Sequence, residues 1–83
     1  MTDETYFVYW LGRALDVKVS IFTVSGKKMK TLNQAGQPGR NALLWNGTNN
    51  KGKRTASGVF IYLLEAVSLD KKWKYYSKIA VVR

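Results

Sequence analysis

The chain has 83 residues, 14 lysines and arginines against five acids, no histidine and no cysteine, giving a formal charge of +9. A chain of this length makes one domain with an economical core, because only about 60% of the unfolded surface is buried at that size. Absence of cysteine rules out a disulfide framework and a thiolate metal site, and together with the absence of histidine it removes the usual general base and thiol nucleophile.

The five carboxylates are Asp3, Glu4, Asp16, Glu65 and Asp70. Only the first two are neighbours, so no acid pair suited to catalysis is present and the chain reads as a non-enzyme. No stretch approaches the ~18 to 20 apolar residues of a membrane span. The start, Met1 to Thr5, is acidic where a signal peptide is basic, so an export signal would have to lie outside this chain.

Met1 to Glu4 are expected to be disordered, and one domain is expected from Thr5 to Arg83. Thr5 to Leu11 is aromatic and β-favouring throughout, a strand that puts Tyr6, Val8 and Trp10 on one face and Phe7, Tyr9 and Leu11 on the other. Both faces are apolar, and two accounts of the second one stand: cover by long lysine stems, or contact with another domain or another copy. Arg13 to Asp16 is a turn. Val17 to Ile21 alternates cleanly, with Val17, Val19 and Ile21 inward and Phe22 to Val24 extending the strand. Ser25-Gly26 turns it into Lys27 to Leu32, where the Met29 and Leu32 spacing of three implies a bulge.

Asn33 to Arg40 is a loop by composition, with the single proline at position 38. Asn41 to Trp45 is the next strand. Asn46-Gly47, Asn49-Asn50 and Lys51-Gly52 then allow two reversals, and Ser57-Gly58 opens the long strand Val59 to Ser68, with Gly58 expected to allow close backbone approach. Leu69 to Lys72 turns that strand into the last one, Trp73 to Val82.

The spacing of Asn46, Asn49 and Asn50 is like that of an oxygen-ligand loop. It carries no carboxylate and has Lys51, Lys53 and Arg54 beside it, so no metal is expected and the asparagines read as turn formers. No cofactor is implied. Asn46-Gly47-Thr48 is also a glycosylation sequon, best explained by chance. Trp73, Tyr75 and Tyr76 could stack on bases with Lys71, Lys72, Lys74 and Lys78 on phosphates, although tryptophan and tyrosine on paired strands are ordinary cross-strand packing. The basic residues are spread from Arg13 to Arg83 and not gathered into one run, so a solvated basic surface is favoured over a nucleic-acid binder.

Several linked motifs carry a resemblance. They are Trp45-Asn46-Gly47-Thr48-Asn49-Asn50-Lys51-Gly52, Ala56-Ser57-Gly58-Val59-Phe60-Ile61-Tyr62, Leu64-Glu65-Ala66, Val17 to Leu32 around Ser25-Gly26, Gly39-Arg40-Asn41, and Lys78 to Arg83. Together they resemble the Ig-like domain of the flagellar hook-capping family, whose related modules shade into the sorting domains of type IX secretion. The resemblance implies an all-β, Ig-like or fibronectin-like antiparallel sandwich of about seven strands. Its expected core is Val19, Ile21, Trp45, Phe60, Tyr62, Leu64, Ile79 and Val81, with Trp45 where the family places its tryptophan. The expected turn motif is Asn46, Gly47, Asn49, Asn50, Gly52, Ser57 and Gly58. Phe7, Tyr9, Leu11, Leu63 and Trp73 are candidates for an interface, and Leu63 stands where many relatives have an exposed base.

The implied function is that of a non-catalytic C-terminal module of a larger secreted or cell-surface bacterial protein, acting in domain docking, assembly or export. Its partners would be other domains of that protein, an assembly or export partner, or a second copy joined through strand edges. A type IX sorting signal and a single-strand nucleic-acid binder are the alternatives.

Overall fold

The structure, a computed structural model, describes residues 5–81. The expectation of disorder at Met1 to Glu4, the last residue of the expected closing strand, Val82, and the final Arg83 fall outside that range. Six strands are present among the described residues: β1 (Thr5–Leu11), β2 (Leu15–Thr23), β3 (Lys28–Gly36), β4 (Gly39–Trp45), β5 (Gly58–Val67) and β6 (Lys72–Val81). All pair antiparallel, as a small sheet β1-β4 and a larger sheet β3-β2-β5-β6.

The two sheets form a β-sandwich, with six strands where about seven were expected. The polar stretch between Trp45 and Gly58 makes turns, as expected, and a single isolated bridge, Thr48 to Arg54. Gly47 and Gly52 have φ of 76° and 80°, a region that costs glycine little and other residues much.

The expected loop over Asn33 to Arg40 is mostly strand. Asn33 to Gly36 pairs with Lys18 to Leu15, and β4 begins at Gly39. Polar residues sit in this strand because their side chains have partners: Gln34 accepts from the Tyr9 hydroxyl and donates to the Ala42 carbonyl at 3.3 Å. Tight backbone approach occurs at Gly36, where a Cβ would lie 3.0 Å from the Leu15 carbonyl oxygen and 3.2 Å from Val17 Cγ2. Gly58, expected to play that role, has open space around it; the nearest atom to an added Cβ is the Phe60 ring at 3.9 Å. The bulge falls opposite Ile21 and Phe22, which face Lys30 and Lys28 and leave Met29 as the extra residue.

Between the sheets lie Phe7, Tyr9, Val17, Val19, Ile21, Leu43, Trp45, Phe60, Ala66 and Val81, with Tyr62, Leu64 and Ile79 partly buried against them. Trp45 is 1% exposed and meets Phe60 edge to face at 6.0 Å, a favoured geometry for two quadrupoles. Its indole N–H donates to the Thr48 carbonyl at 2.9 Å, so the one polar atom of the ring is satisfied by the turn that follows it.

On the outer face of the larger sheet Glu65 is buried, and Lys72 Nζ donates to its Oε2 at 2.8 Å. Lys18 and Lys74 are its cross-strand neighbours. The Lys72 hydrogen bond, helped by the fields of these lysines and opposed by burial, holds the Glu65 carboxyl below its ordinary value.

Two stability measurements follow from this packing. Trp45→Ala should cost about 3 to 5 kcal/mol, close to the whole stability of a domain this small, and a thermal melt superimposable on that of the parent would refute the central role of the ring. A carboxyl with a depressed folded pKa stabilises above its unfolded value of about 4.3, and that contribution is lost as pH falls through the folded value. Tm should therefore drop as pH falls below about 4, and Glu65→Gln should flatten that part of the curve. Parallel Tm curves for the two proteins would mean that the pair contributes nothing.

Candidate docking surfaces

The described residues hold no group of three or more His, Cys, Asp or Glu side chains that could bind a metal. Asp70 is an exposed acid at the β5–β6 turn, kept below the usual carboxylate range first by the Ser68 hydroxyl, which donates to it at 2.8 Å. What remains for function is surface: a turn, two sheet faces and the strand edges.

The turn after Trp45 is stitched both to itself and to the larger sheet. Asn49 Oδ1 accepts from the backbone N–H groups of Lys51 and Lys53 at 2.9 and 3.0 Å, and Asn46 Oδ1 accepts from the Thr48 hydroxyl at 2.6 Å. Asn50 does not act locally. Its backbone N–H donates to the Met29 carbonyl at 3.0 Å and its Oδ1 accepts from the Thr31 N–H at 3.1 Å. The outer edge of β3 is thereby capped, and the three asparagine oxygens point at donors of the chain itself. Ser57 and Gly58 close the excursion and lead into β5.

The interface candidates are distributed otherwise than the sequence suggested. The register Thr5↔Trp45, Phe7↔Leu43, Tyr9↔Asn41 places the odd residues of β1 opposite the inward residues of β4. Phe7 and Tyr9 are therefore buried and Leu11 is packed on the core, so they are not a free surface. Tyr6, Val8 and Trp10 are the exposed set, at 58%, 40% and 70%, and Leu44 beside Tyr6 is exposed as well. Leu63 is also buried, between Ser20 and Tyr76 on the outer face of the larger sheet. Trp73 alone of the five lies substantially open, at 44%.

Trp73 and Tyr75 face the interior side of the larger sheet, opposite Ala66 and Leu64, yet the smaller sheet does not cover them. Phe7 packs on Tyr62 at 4.8 Å, and Tyr62 on Tyr75 at 6.3 Å, an aromatic row that runs from the core to solvent. Beside it, Tyr9, Leu11, Leu64, Ala66 and Trp73 line an apolar groove of about 500 Å³. Arg13 closes its end, with the guanidinium 5.8 Å from the centre of the Trp73 ring and donating to Ser68 Oγ at 3.0 Å. Around the outer face of the larger sheet stand Lys18, Lys28, Lys72, Lys74 and Lys78, with Lys28 5.8 Å from the centre of the Phe22 ring. Tyr75 and Tyr76 point to opposite faces of β6, so no single surface gathers the proposed stacking rings.

Neither protein-family models nor curated proteins match the sequence. Solved structures do. A FlgD from Pseudomonas aeruginosa aligns over 94% of this chain at 15% identity and TM-score 0.79. A FlgD from Xanthomonas campestris, whose description concerns the hook capping essential for flagellar assembly, aligns over 95% at 25% identity and TM-score 0.72. Dimeric latent PorU from Porphyromonas gingivalis aligns over 99% at 19% identity and TM-score 0.82. The chain spans 62%, 56% and 8% of the lengths of these three proteins respectively. The resemblance seen in the Trp-Asn-Gly and Ser-Gly motifs is thus matched in three dimensions, and the chain has the fold of the Ig-like domains found in hook-capping proteins and in PorU.

Proposed function

We propose that this chain is a non-catalytic Ig-like module of a larger secreted or cell-surface bacterial protein, and that it works by docking to other protein domains during assembly or export. The observation that carries this reading is the mismatch in coverage. The fold accounts for nearly all of this chain and for only part of each protein it resembles, so the same unit recurs as one piece of longer polypeptides. Exposed aromatic side chains on a small domain with no cluster of catalytic or metal-binding groups among its described residues agree with a docking role. A sandwich by itself implies no activity, so the surfaces carry the argument.

A second reading, a sorting signal for type IX export, is favoured by the match to PorU, where a unit of this fold makes up 8% of the chain. It is separable by experiment. Removing residues 78–83 from a fused reporter should abolish its secretion if the fold is the export signal, whereas retained secretion would eliminate that reading.

The docking module should be a monomer near 9.4 kDa by light scattering and indifferent to a short single-stranded oligonucleotide at moderate salt. A complex that forms at low salt and weakens steeply as salt rises would overturn the docking reading in favour of a nucleic-acid binder.

A further inference from the structure

We infer that the free edge of β6 receives an extended segment of a partner polypeptide as an added strand, and that this segment alternates carboxylate and apolar side chains. The inference rests on the docking reading and names its site and the kind of partner.

A strand added to a sheet edge meets the two faces of that edge separately, one with each half of its side chains. β6 is an edge strand, hydrogen-bonded to β5 alone among the described residues. Lys72 to Tyr76 is exposed on both faces, and no proline interrupts the strand. The register with β5 sorts the side chains. Lys72, Lys74, Tyr76 and Lys78 stand with Val67, Glu65, Leu63 and Ile61 on the outer face, while Trp73 and Tyr75 stand with Ala66 and Leu64 on the inner one.

Each face specifies what it accepts. On the outer face Lys72 is engaged by Glu65, but Lys74 and Lys78 make no ion pair among the described residues. Residues directly opposite on paired strands bring their Cβ atoms to about 5 Å, so a carboxylate on the added strand reaches either lysine and a further lysine is repelled. On the inner face Trp73 is 44% exposed and Tyr75 59%. Trp73 shares a groove of about 500 Å³ with Tyr9, Trp10 and Leu11 of β1, and apolar side chains laid there leave water. The two demands fall on successive residues of the added strand, which is why it must alternate.

No other edge makes this double demand. β3 is capped by Asn50, β4 lies against β3 through the Gln34 to Ala42 hydrogen bond, and β1 has no charged residue on either face. The lysines also disfavour a second copy of the chain. Antiparallel pairing of two β6 strands centred on Tyr75 would set Lys72 opposite Lys78, and centring on Tyr76 would set Lys74 opposite Lys78. Edge lysines thus oppose self-association and leave an acidic strand admissible.

The test uses blocked ten-residue peptides, the length of β6, titrated into isotope-labelled protein. One alternates Val and Glu, a second has the same composition with the residues grouped in pairs, and a third alternates Val and Lys. The alternating Val/Glu peptide should shift the amides of β6 and the indole N–H of Trp73, and should slow exchange of the β6 amides that point away from β5. It should bind about tenfold or more tighter than either other peptide, a difference of about 1.4 kcal/mol. Lys74→Gln combined with Lys78→Glu, both at exposed positions, should erase the preference over Val/Lys while leaving the melt nearly unchanged. Equal binding of the paired or the Val/Lys peptide, no binding of Val/Glu, an unchanged preference in the variant, or a doubled mass through β6 would overturn the inference. Shifts confined to β1 and β4 would overturn this edge and leave the docking reading in place. Absence of peptide binding together with a salt-sensitive oligonucleotide complex would remove the docking reading as well.

Discussion

The burial of Trp45 between two sheets, with its single N–H satisfied by the turn it leads into, is the constraint on which the remaining structure depends. A ring of that size placed at the end of β4 sets the separation of the sheets and gives Phe60 an edge-to-face partner. It also fixes where the chain must turn, because the indole needs the Thr48 carbonyl within reach. The asparagine- and glycine-rich excursion then supplies Asn50 to the edge of β3. One packing decision is thereby coupled to the protection of a strand edge in the other sheet.

The sandwich is consequently asymmetric. On the β3–β4 side a hydrogen-bonded glutamine, a buried tyrosine and the Asn50 cap close the gap between sheets. On the β1–β6 side nothing comparable is present among the described residues, and an aromatic row extends from Phe7 through Tyr62 to Tyr75 into solvent. Small sandwiches have little apolar surface to spare. Aromatic groups left uncovered on the inner face of a sheet are therefore more informative than the scattered hydrophobic side chains found on any protein surface.

Much of the charge lies on the opposite face of the larger sheet. The charge of +9 is not concentrated in one run, yet antiparallel pairing brings Lys18, Lys72 and Lys74 around Glu65, and the turn between β5 and β6 holds Arg13 against Asp70 and Trp73. The outer face of the larger sheet is therefore the basic one, while the open aromatic row lies on the other side of β6.

Much of the fold was legible from local pattern alone. Alternation in Val17 to Ile21, the unbroken β-branched and aromatic run after Gly58, the glycine turns and the three-residue spacing around Met29 locate strands, reversals and the bulge, because backbone pleat and turn conformation act over a few residues. The absence of histidine and cysteine likewise bounds the chemistry without any coordinates. Tertiary structure alone decided three other matters. Asn33 to Gly36 became strand because Gln34 found partners 25 residues earlier and 8 residues later in the chain. The inward face of β1 was settled by its register with β4, since a strand apolar on both faces carries no internal signal of which side is buried. Which side of the sandwich stays open depended on how β1 and β4 lie over β5 and β3, a relation between distant segments that no local spacing encodes.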